Sequence, residues 1–301
     1  MKNPGPIVIG GVGGSGTRVI ADILRETGYY IGSDLNDSLD NLWFTLLFKR
    51  PRWFQKQKNH HAEVAKGLSL FEKIMHRRAG ITGDEYLFLA SAFCEIFFYG
   101  HDHLASGRGR WSLERIRTIL MRTGPEISQY VGWGWKEPNT HIYLEYLSEY
   151  FPDLKYILVI RHGLDMAFSR NQAQLYNWGR LLGIEKPSSP KSAPVSALDY
   201  WIRANQRAIS LGKKLLNDRF YLINFDELQR NPQGEIEKLF KFIRHDMDNP
   251  HLIRQLCEKM IRPESPARYQ KFDLSCFSAH DLNEVEKMGF PIERHKKEAN
   301  H

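Results

Sequence analysis

The sequence is poor in cysteine and contains no long hydrophobic run. Its three cysteines, Cys94, Cys257 and Cys276, lie far apart and lack the paired spacing of a zinc site. No stretch reaches the ~18 consecutive apolar residues that are typical of a membrane span. The first apolar run breaks into glycines before it reaches the length of a signal peptide's core. We therefore predict a soluble cytoplasmic protein with reduced thiols, no metal site and no integral membrane segment.

The composition favours a globular protein with an anionic ligand. Of the 301 residues, 42% are apolar, which is enough to bury a substantial core, and we predict a single domain over residues 1–301. The 42 Lys and Arg residues outnumber the 35 Asp and Glu residues. A positive surface suits a nucleotide, a nucleic acid or a polyanionic substrate, and the charge alone does not distinguish between them.

A glycine-rich segment follows the first apolar run of the chain. Residues 7–9 are apolar, residues 10–16 are mostly glycine, and apolar residues then recur at helical spacing as far as Gly28. This pattern predicts a buried strand, a phosphate-binding loop and a helix, because loop N–H groups and a helix N-terminus together attract phosphate. The candidate ligand-binding residues are Gly13, Gly14, Ser15, Gly16, Thr17 and Arg18.

Three other interpretations of this loop are open. Gly11, Gly13 and Gly16 formally satisfy the dinucleotide-binding fingerprint, although that match is weak by itself. A kinase-type P-loop has Gly-Lys-Ser/Thr, whereas here Gly16 directly precedes Thr17 without a lysine. An ordinary glycine-rich turn is the third alternative.

The rest of the chain alternates between strand and helix patterns, which predicts an α/β fold with a parallel sheet. Asn139 or Thr140 is expected to cap the helix that runs to Tyr150. A stretch from about 40 to 125 has helical periodicity and many aromatic residues, and we interpret it as a helical insertion that contributes to acceptor binding. Further strands are predicted at residues 29–31, 131–135, 156–160 and 220–223, and helices at 195–216 and 234–243.

Three segments together resemble the sulfotransferase family. Ser15-Gly16-Thr17 matches the family's phosphosulfate loop after a short apolar strand. Residues 156–169 match its second signature, a strand ending in Arg161 and then Ser169 eight residues later on a helix. Lys136-Glu137-Pro138 matches a Lys and a Pro that many members carry at the end of the intervening strand. The resemblance covers most of the chain outside the helical insertion.

The resemblance implies a P-loop-like parallel sheet flanked by helices, with 3'-phosphoadenosine 5'-phosphosulfate (PAPS) as the sulfate donor and adenosine 3',5'-bisphosphate (PAP) as the product. It further implies that Arg161 and Ser169 hold the 3'-phosphate, a role that suits an arginine fork and a hydroxyl. The chain departs from the family at Gly14, where a basic residue usually precedes Ser-Gly-Thr. Arg18 is the nearest residue that can supply the missing charge.

Sulfuryl transfer requires neutralisation of charge on the transferred group and a base for the acceptor proton. Lys136 is the candidate for the first role, because it ends a predicted sheet strand, where α/β sites form. Glu137, Asp34 and His141 are the candidate bases. We favour Glu137, which neighbours Lys136, because Pro138 stands where the family often has a catalytic His.

The predicted function is sulfate transfer from PAPS to a hydroxyl (or amine) acceptor, either a glycan or a small molecule, with no nucleic-acid partner. One alternative is a P-loop kinase that acts on a small molecule or a nucleotide, which the missing loop lysine opposes. The other is a nucleotide-binding protein without catalytic activity, because Gly14 replaces the family's basic residue.

Overall fold

The computed structural model describes residues 5–78, 80–100, 107–121, 125–244, 250–260 and 267–293. Within these residues the strands belong to one sheet of five, in the order β2-β3-β1-β4-β5. They are β1 (Ile7–Gly10), β2 (Tyr29–Tyr30), β3 (Gly132–Lys136), β4 (Lys155–Ile160) and β5 (Phe220–Asn224).

The central strands of the sheet run parallel. Strand β1 lies between β3 and β4, with Ile9 opposite Lys136 and Gly10 opposite Leu158, and β2 pairs with the outer side of β3. The carboxyl ends of parallel strands meet at one edge of a sheet, which is the edge where α/β proteins bind ligands. The predicted α/β class with a parallel sheet flanked by helices is therefore confirmed.

The helices between β1 and β3 begin with α1, which directly follows the glycine loop. From residue 42 to residue 120 the described elements are all helical. These helices are α1 (Thr17–Glu26), α2 (Leu42–Phe48), α3 (Pro51–Lys56), α4 (His60–Met75), α5 (Gly83–Tyr99) and α6 (Arg108–Leu120).

The remaining helices follow β3 in the chain. None of the described helices combines the length and apolar character needed to cross a bilayer. They are α7 (Leu144–Tyr150), α8 (Gly163–Ala167), α9 (Ala173–Trp178), α10 (Ala193–Leu216), α11 (Phe225–Arg230), α12 (Pro232–Ile243), α13 (Pro250–Met260) and α14 (Ala279–Lys287).

The predicted cap at Asn139 or Thr140 is wrong. A 3-10 helix, Pro138–Tyr143, comes between β3 and α7, and its N-cap is Glu137, whose side chain accepts a hydrogen bond from the backbone N–H of Asn139. The physical reason is Pro138, which is pre-organised for the first helical position and so makes the preceding residue the cap.

The chain divides into two compact units. The first contains Met1–Gly11, Thr17–Leu158 and Ser210–Tyr221, and the second contains Val12–Gly16, Val159–Ile209 and Leu222–His301. The single domain over residues 1–301 stays a prediction.

The core of the first unit is built from aromatic side chains around β3. The Trp135 ring lies 5.5 Å from the ring of Phe44 on α2 and 4.9 Å from that of Phe71 on α4, and all three side chains are fully buried. Aromatic contacts at these separations contribute beyond the burial of apolar area. They fix the carboxyl end of β3, where Lys136 lies.

The core of the second unit holds the turn between β4 and α8. The His162 ring stacks on Tyr269 at 4.4 Å, and its backbone N–H donates to the Asp226 carboxylate at 2.9 Å. Trp201 packs against Gly163. Burial lowers the pKa of His162 below its ordinary value, which suits a neutral ring in the core. These contacts fix the segment that carries Arg161.

Candidate active site

The glycine loop is a tight turn held within the second unit. The N–H of Ser15 donates to the carbonyl of Val12 at 3.0 Å, and the N–H of Gly13 donates to the side-chain oxygen of Gln174 at 3.2 Å. Gly14 and Gly16 adopt φ angles of +97° and +98°. Residues that carry a side chain rarely adopt such φ angles, so this backbone path favours glycine at both positions.

The conformation of Gly14 gives a physical reason for its departure from the family pattern. A Cβ at this position would meet the Met166 methyl at 3.5 Å, an ordinary contact distance, so space is available. The constraint is the positive φ of +97°, which disfavours any residue with a side chain. A basic residue at position 14 is therefore disfavoured by the backbone of this turn, although space for it is available.

The loop places two hydroxyl side chains at the start of α1. Within the described residues, the buried Oγ of Ser15 has no hydrogen-bond partner. Thr17 is the first residue of α1 and is buried, whereas Arg18 in the same helical turn is exposed. An orphaned hydroxyl beside a helix N-terminus fits a phosphate group, which accepts hydrogen bonds and favours the positive end of the helix dipole.

Phe225 connects the loop with Arg161 inside the second unit. A Cβ at Gly16 would overlap the Phe225 ring, so the loop backbone lies directly on this aromatic face. The guanidinium carbon of Arg161 lies 5.8 Å from the centre of the same ring. This distance falls within the range of a cation–π interaction.

Arg161 is oriented by a buried carboxylate that the sequence interpretation did not single out. Its NH2 lies 3.5 Å from Oδ2 of Asp165, and the Asp165 side chain is fully buried. The other carboxylate oxygen of Asp165 accepts from the N–H of Tyr269 at 2.9 Å. No local sequence signal indicates this pair, because Arg161 precedes α8 and the i, i+4 rule applies to residues within one helix.

Ser169 lies just beyond α8, and the expectation that it sits on a helix is wrong. Helix α8 ends at Ala167, and the amide of Gln172 donates to the carbonyl oxygens of Met166 and Ala167 at 2.9 and 3.2 Å. This amide satisfies carbonyl groups that a longer helix would otherwise use. The Ser169 hydroxyl accepts from the N–H of Asn171 at 3.2 Å, and its own proton can still be donated.

The loop faces the segment that carries Ser169. A side chain at Gly14 would meet Met166, and one at Gly13 would meet Asn171 at 3.7 Å. The second unit thus brings the glycine loop together with the segment between Arg161 and Ser169. These residues offer N–H, hydroxyl and guanidinium donors, which is the chemistry that a phosphate ligand requires.

Lys136 is a buried cation at the carboxyl end of β3 in the first unit. It is 1% exposed, its Nζ donates to the carboxylate of Asp40, and its carbonyl accepts from the N–H of Asn41 at 2.8 Å. Asn36 holds Asp40, since its Nδ2 donates to Asp40 Oδ2 at 2.9 Å and its Oδ1 accepts from the Asp40 N–H at 2.9 Å. The ion pair is therefore fixed from both sides.

Glu137 is a second buried carboxylate beside this pair. It is 3% exposed, and both of its oxygens accept hydrogen bonds from Asn139, one from the backbone N–H and one from the side-chain amide, each at 2.7 Å. Burial and then the nearby charge of Asp40 raise the pKa of Glu137 to about 7, while Lys49 and Asn139 oppose this shift. Two carboxylates and two lysines therefore share one enclosed region of the first unit.

Backbone hydrogen bonds connect the segment after Lys136 to the carboxyl end of β1. The N–H of Glu137 donates to the carbonyl of Ile9 at 3.3 Å, and the N–H of Gly11 donates to the carbonyl of Pro138 at 3.2 Å. All four residues belong to the first unit. Lys136 therefore directly precedes Glu137, whose backbone is hydrogen-bonded to β1.

Asp34 and His141 occupy other environments. Asp34 is engaged by Arg115, with Nε to Oδ2 at 3.3 Å, and by the Thr118 hydroxyl at 3.1 Å. His141 is buried within the 3-10 helix that follows β3. The carboxylate of Asp34 is thus paired with a cation other than Lys136, and the His141 ring is enclosed.

Sequence reasoning missed Asp40. Asp34, Asp37 and Asp40 all follow the second strand, and nothing in their spacing distinguishes the residue that pairs with Lys136. No group of three or more His, Cys, Asp and Glu side chains within the described ranges is arranged to hold a metal ion.

Comparison with known proteins gives a family match over most of the chain. A family model described as "Sulfotransferase family" matches residues 6–249. This match confirms the resemblance found in the sequence. No curated protein is significantly similar to the chain in sequence.

Several solved structures match the chain with low sequence identity and TM-scores below 0.5. A sulfotransferase, STF9, from Mycobacterium avium is 14% identical with a TM-score of 0.48, covering 96% of this chain and 76% of that one. A sulfotransferase from Alicyclobacillus acidocaldarius is 15% identical with a TM-score of 0.45, covering 96% of each chain. Retinol dehydratase, solved with androsterone and inactive cofactor PAP, is 12% identical with a TM-score of 0.40, covering 95% of this chain and 80% of that one.

Proposed function

Because the chain belongs to the sulfotransferase family, we propose that it transfers the sulfuryl group of PAPS to a hydroxyl (or amine) of an acceptor and releases PAP. The observation that carries this proposal is the buried cation of Lys136, paired with Asp40 and held beside the strand that enters the glycine loop. PAPS supplies an activated sulfuryl group, and the residues of this chain bind the donor, neutralise charge and accept a proton.

The 5' end of the donor belongs in the glycine loop. Its backbone turn, the unpartnered buried hydroxyl of Ser15 and the N-terminus of α1 support binding of a phosphate at this position. Gly13, Gly14, Gly16 and Thr17 complete this part of the proposed site. With glycine at position 14, the positive charge at the transferred group comes from Lys136, with exposed Arg18 as a second contributor.

The 3'-phosphate of the donor belongs with Arg161 and Ser169. Arg161 is oriented by Asp165 and Phe225, and the Ser169 hydroxyl retains a proton to donate. A guanidinium with fixed orientation loses little side-chain entropy when it binds a phosphate. This pair supports selection of a nucleotide with a 3'-phosphate over one without it.

Lys136 is proposed to stabilise the charge that develops at the transferred sulfuryl group. Burial strengthens its electrostatic interactions, and its fixed position avoids reorganisation during the reaction. Its pairing with Asp40 compensates for the cost of burying an isolated cation. The ammonium is therefore ready before the donor binds.

Asp40 is proposed as the general base in preference to Glu137. The Asp40 side chain is 14% exposed, so an acceptor hydroxyl has access to its carboxylate, and it lies beside Lys136. Glu137 has a pKa of about 7, which suits a base, but it is only 3% exposed. The oxygens of both carboxylates accept hydrogen bonds, those of Asp40 from Lys136 and Asn36 and those of Glu137 from Asn139, so the greater exposure of Asp40 decides the preference. Glu137, Asp34 and His141 remain competing candidates, and Glu137→Gln, Asp34→Asn and His141→Ala are compared with Asp40→Asn in the transfer assay.

The acceptor is proposed to be a glycan or a small molecule, with the helical stretch from about 40 to 125 contributing to its binding. Aromatic side chains there can pack on a sugar or phenol ring. The acceptor class and the role of the helical stretch both stay predictions from the sequence.

The test is transfer of labelled sulfate from PAPS to a panel of phenols, alcohols, amines and desulfated glycans, with a chelator present. The wild-type chain should label at least one class, and Lys136→Met should lower that rate ~100-fold or more. A protein that binds PAP but labels no acceptor would support the non-catalytic alternative. Transfer of phosphate from ATP would support the kinase alternative.

A further inference from the structure

Helix α5 has apolar side chains on two opposite faces. Phe88, Leu89 and Ile96 are buried against the rest of the first unit. On the other side, Leu87 is 70% exposed and Phe98 is 66% exposed. A helix with apolar side chains on opposite faces is normally buried on both, so the exposed outer face of α5 is a candidate interaction surface.

Helix α6 extends the exposed apolar face. Its inner side packs through buried Trp111 and Ile119, whereas Leu113 and Met121 are exposed. At the other end of the helix pair, a Cβ at Gly109 would meet the exposed ring of Phe97 at 3.1 Å, so the two helices are in contact there. The apolar surface thus continues from one helix to the next.

Basic side chains border this surface. The Arg52 guanidinium carbon lies 3.8 Å from the ring centre of Tyr99, and Arg108 donates to the carbonyl of Phe98 at 3.3 Å. Arg52, Lys56, Phe98 and Tyr99 also line a groove of about 330 Å³ between α3 and α5. We call Arg52, Lys56, Leu87, Phe98, Tyr99 and Arg108 the cationic apolar patch.

The carboxylate nearest the groove is engaged by other groups. Glu95 accepts from the N–H of Trp53 at 3.1 Å and lies 3.5 Å from the buried Arg50 guanidinium. On α6, Glu114 pairs with Arg110 at 3.1 Å and with Arg115 at 3.0 Å. Asp84, in the first turn of α5, is an exposed carboxylate near Leu87. Around the groove, the side chains that remain are mainly cationic and apolar.

We propose that the cationic apolar patch binds the surface of a bilayer that contains anionic phospholipids. Exposed Leu and aromatic side chains enter the boundary between headgroups and acyl chains, and basic residues beside them attract anionic headgroups. The helices lie on the bilayer and do not cross it. The patch has the combination of charge and apolar area that this mode of binding requires.

A second copy of the chain fits the patch less well. In a two-fold dimer the same patch would face itself, and Arg52, Lys56 and Arg108 of one copy would oppose the same cations of the other. Like charges across an interface oppose association. The charge therefore favours an anionic surface as the occupant.

The first experiment is co-sedimentation of the full chain with vesicles of phosphatidylcholine alone or with one-quarter phosphatidylglycerol. The patch predicts at least tenfold stronger partitioning onto the anionic vesicles, weakened by high salt. Equal and negligible binding to both vesicle types would overturn the proposal.

The second experiment locates the contact while all residues of the patch keep their own side chains. Cys94 is exposed and lines the groove, while Cys276 is exposed in the second unit and is not part of the patch. A polarity-sensitive dye on Cys94, with the other cysteines replaced by serine, should shift to the blue on anionic vesicles, and a dye on Cys276 should not. A shift only at Cys276 would assign binding to another surface and overturn the proposal.

The third experiment separates apolar insertion from charge. Leu87→Ser/Phe98→Ser should lower partitioning about tenfold, and Lys213→Gln/Lys214→Gln on exposed positions of α10 serves as the matched control with little effect. Unchanged binding by the Leu87→Ser/Phe98→Ser variant would show purely electrostatic attraction and overturn the proposal. A wild-type dimer in light scattering that this variant converts to a monomer would assign the patch to a second copy and also overturn it.

Discussion

The ammonium of Lys136 donates to the carboxylate of Asp40, which joins the end of β3 to the loop that follows β2. The pair is nearly enclosed, with side-chain exposures of 2% for Lys136 and 14% for Asp40. Such a pair is weak evidence for stability, because desolvation offsets the attraction. Its position beside the strand entering the glycine loop instead supports a role in the reaction.

The first prediction separates the role of this pair in catalysis from its role in stability. Lys136→Met should lower sulfate transfer ~100-fold or more while most PAP affinity remains, because the charge is needed mainly in the transition state. Asp40→Asn should lower kcat to a similar degree and spare PAP binding. Full activity of Asp40→Asn together with inactive Glu137→Gln would restore Glu137 as the base.

A double-mutant cycle provides the stability control for those variants. Each single substitution leaves one buried charge without its partner, whereas Lys136→Met/Asp40→Asn removes both. The double variant should therefore be more stable than the sum of the single losses predicts, by about 1–3 kcal/mol. Chemical denaturation measures the three values, and strict additivity would show that the ion pair does not couple the two residues.

The second prediction concerns Glu137 and pH. Its folded pKa of about 7 lies above the ordinary value of 4.5, so the folded chain holds this proton more tightly than the unfolded chain. The resulting stability is fully present below pH 4.5 and is lost as pH rises through 7, a change of about 3 kcal/mol.

Glu137→Gln removes this titration. Between pH 4.5 and 8 its stability should rise relative to wild type by about that amount in denaturant unfolding. Glu286→Gln, at an exposed position of α14, is the matched control for exchanging a carboxylate for an amide. If the Glu137→Gln difference stays constant with pH, Glu137 does not titrate as described.

The third prediction concerns Arg161. Arg161→Ala should weaken PAP binding by roughly 1.5–3 kcal/mol, the usual contribution of a hydrogen bond to a charged group. The same variant should bind adenosine 5'-monophosphate, which lacks the 3'-phosphate, almost as tightly as the wild-type chain does. Arg203→Ala on α10, an arginine that pairs with Asp199, is the control. Equal losses for the two nucleotides would remove Arg161 from the 3'-phosphate site.

The fourth prediction grades three neighbouring glycines. Gly13→Ala should have little effect, because its φ is not positive and the nearest atom would be 3.7 Å away. Gly14→Ala should lower the free energy of unfolding by about 1–2 kcal/mol, because alanine disfavours the positive φ at this position. Gly16→Ala should cost more, since it adds overlap with Phe225. Thermal and denaturant unfolding measure the order, and a different ranking would contradict the loop conformation.

The sequence was sufficient to predict the elements whose signal is local. The apolar run before the glycine loop, the helical spacing after it and the buried strand before Arg161 appear in the structure as β1, α1 and β4. Each of these patterns depends on residues close together in the chain. Pro138 carried a usable signal as well, because proline favours the first position of a helix and so marks Glu137 as its cap.

Contacts between distant segments could not be predicted from the sequence. The choice of Asp40 over Asp34 depends on how the loop after β2 folds back to β3, where Asn36 orients the carboxylate. The early end of α8 depends on a shorter-range contact, in which the amide of Gln172 donates to carbonyl groups five and six residues earlier in the chain. Neither contact follows from periodicity or composition.

Calorimetric titration of the wild-type chain with PAP, in the presence of a chelator, tests the central claim most directly. The result should be a single site that binds PAP more tightly than adenosine 5'-monophosphate, and more tightly than ATP titrated with Mg²⁺ in chelator-free buffer. At about 100 times its dissociation constant, PAP should also add about 2.7 kcal/mol to the stability of the fold. No heat and no stabilisation with PAP, or a preference for ATP with Mg²⁺, would contradict the proposal that this chain uses PAPS.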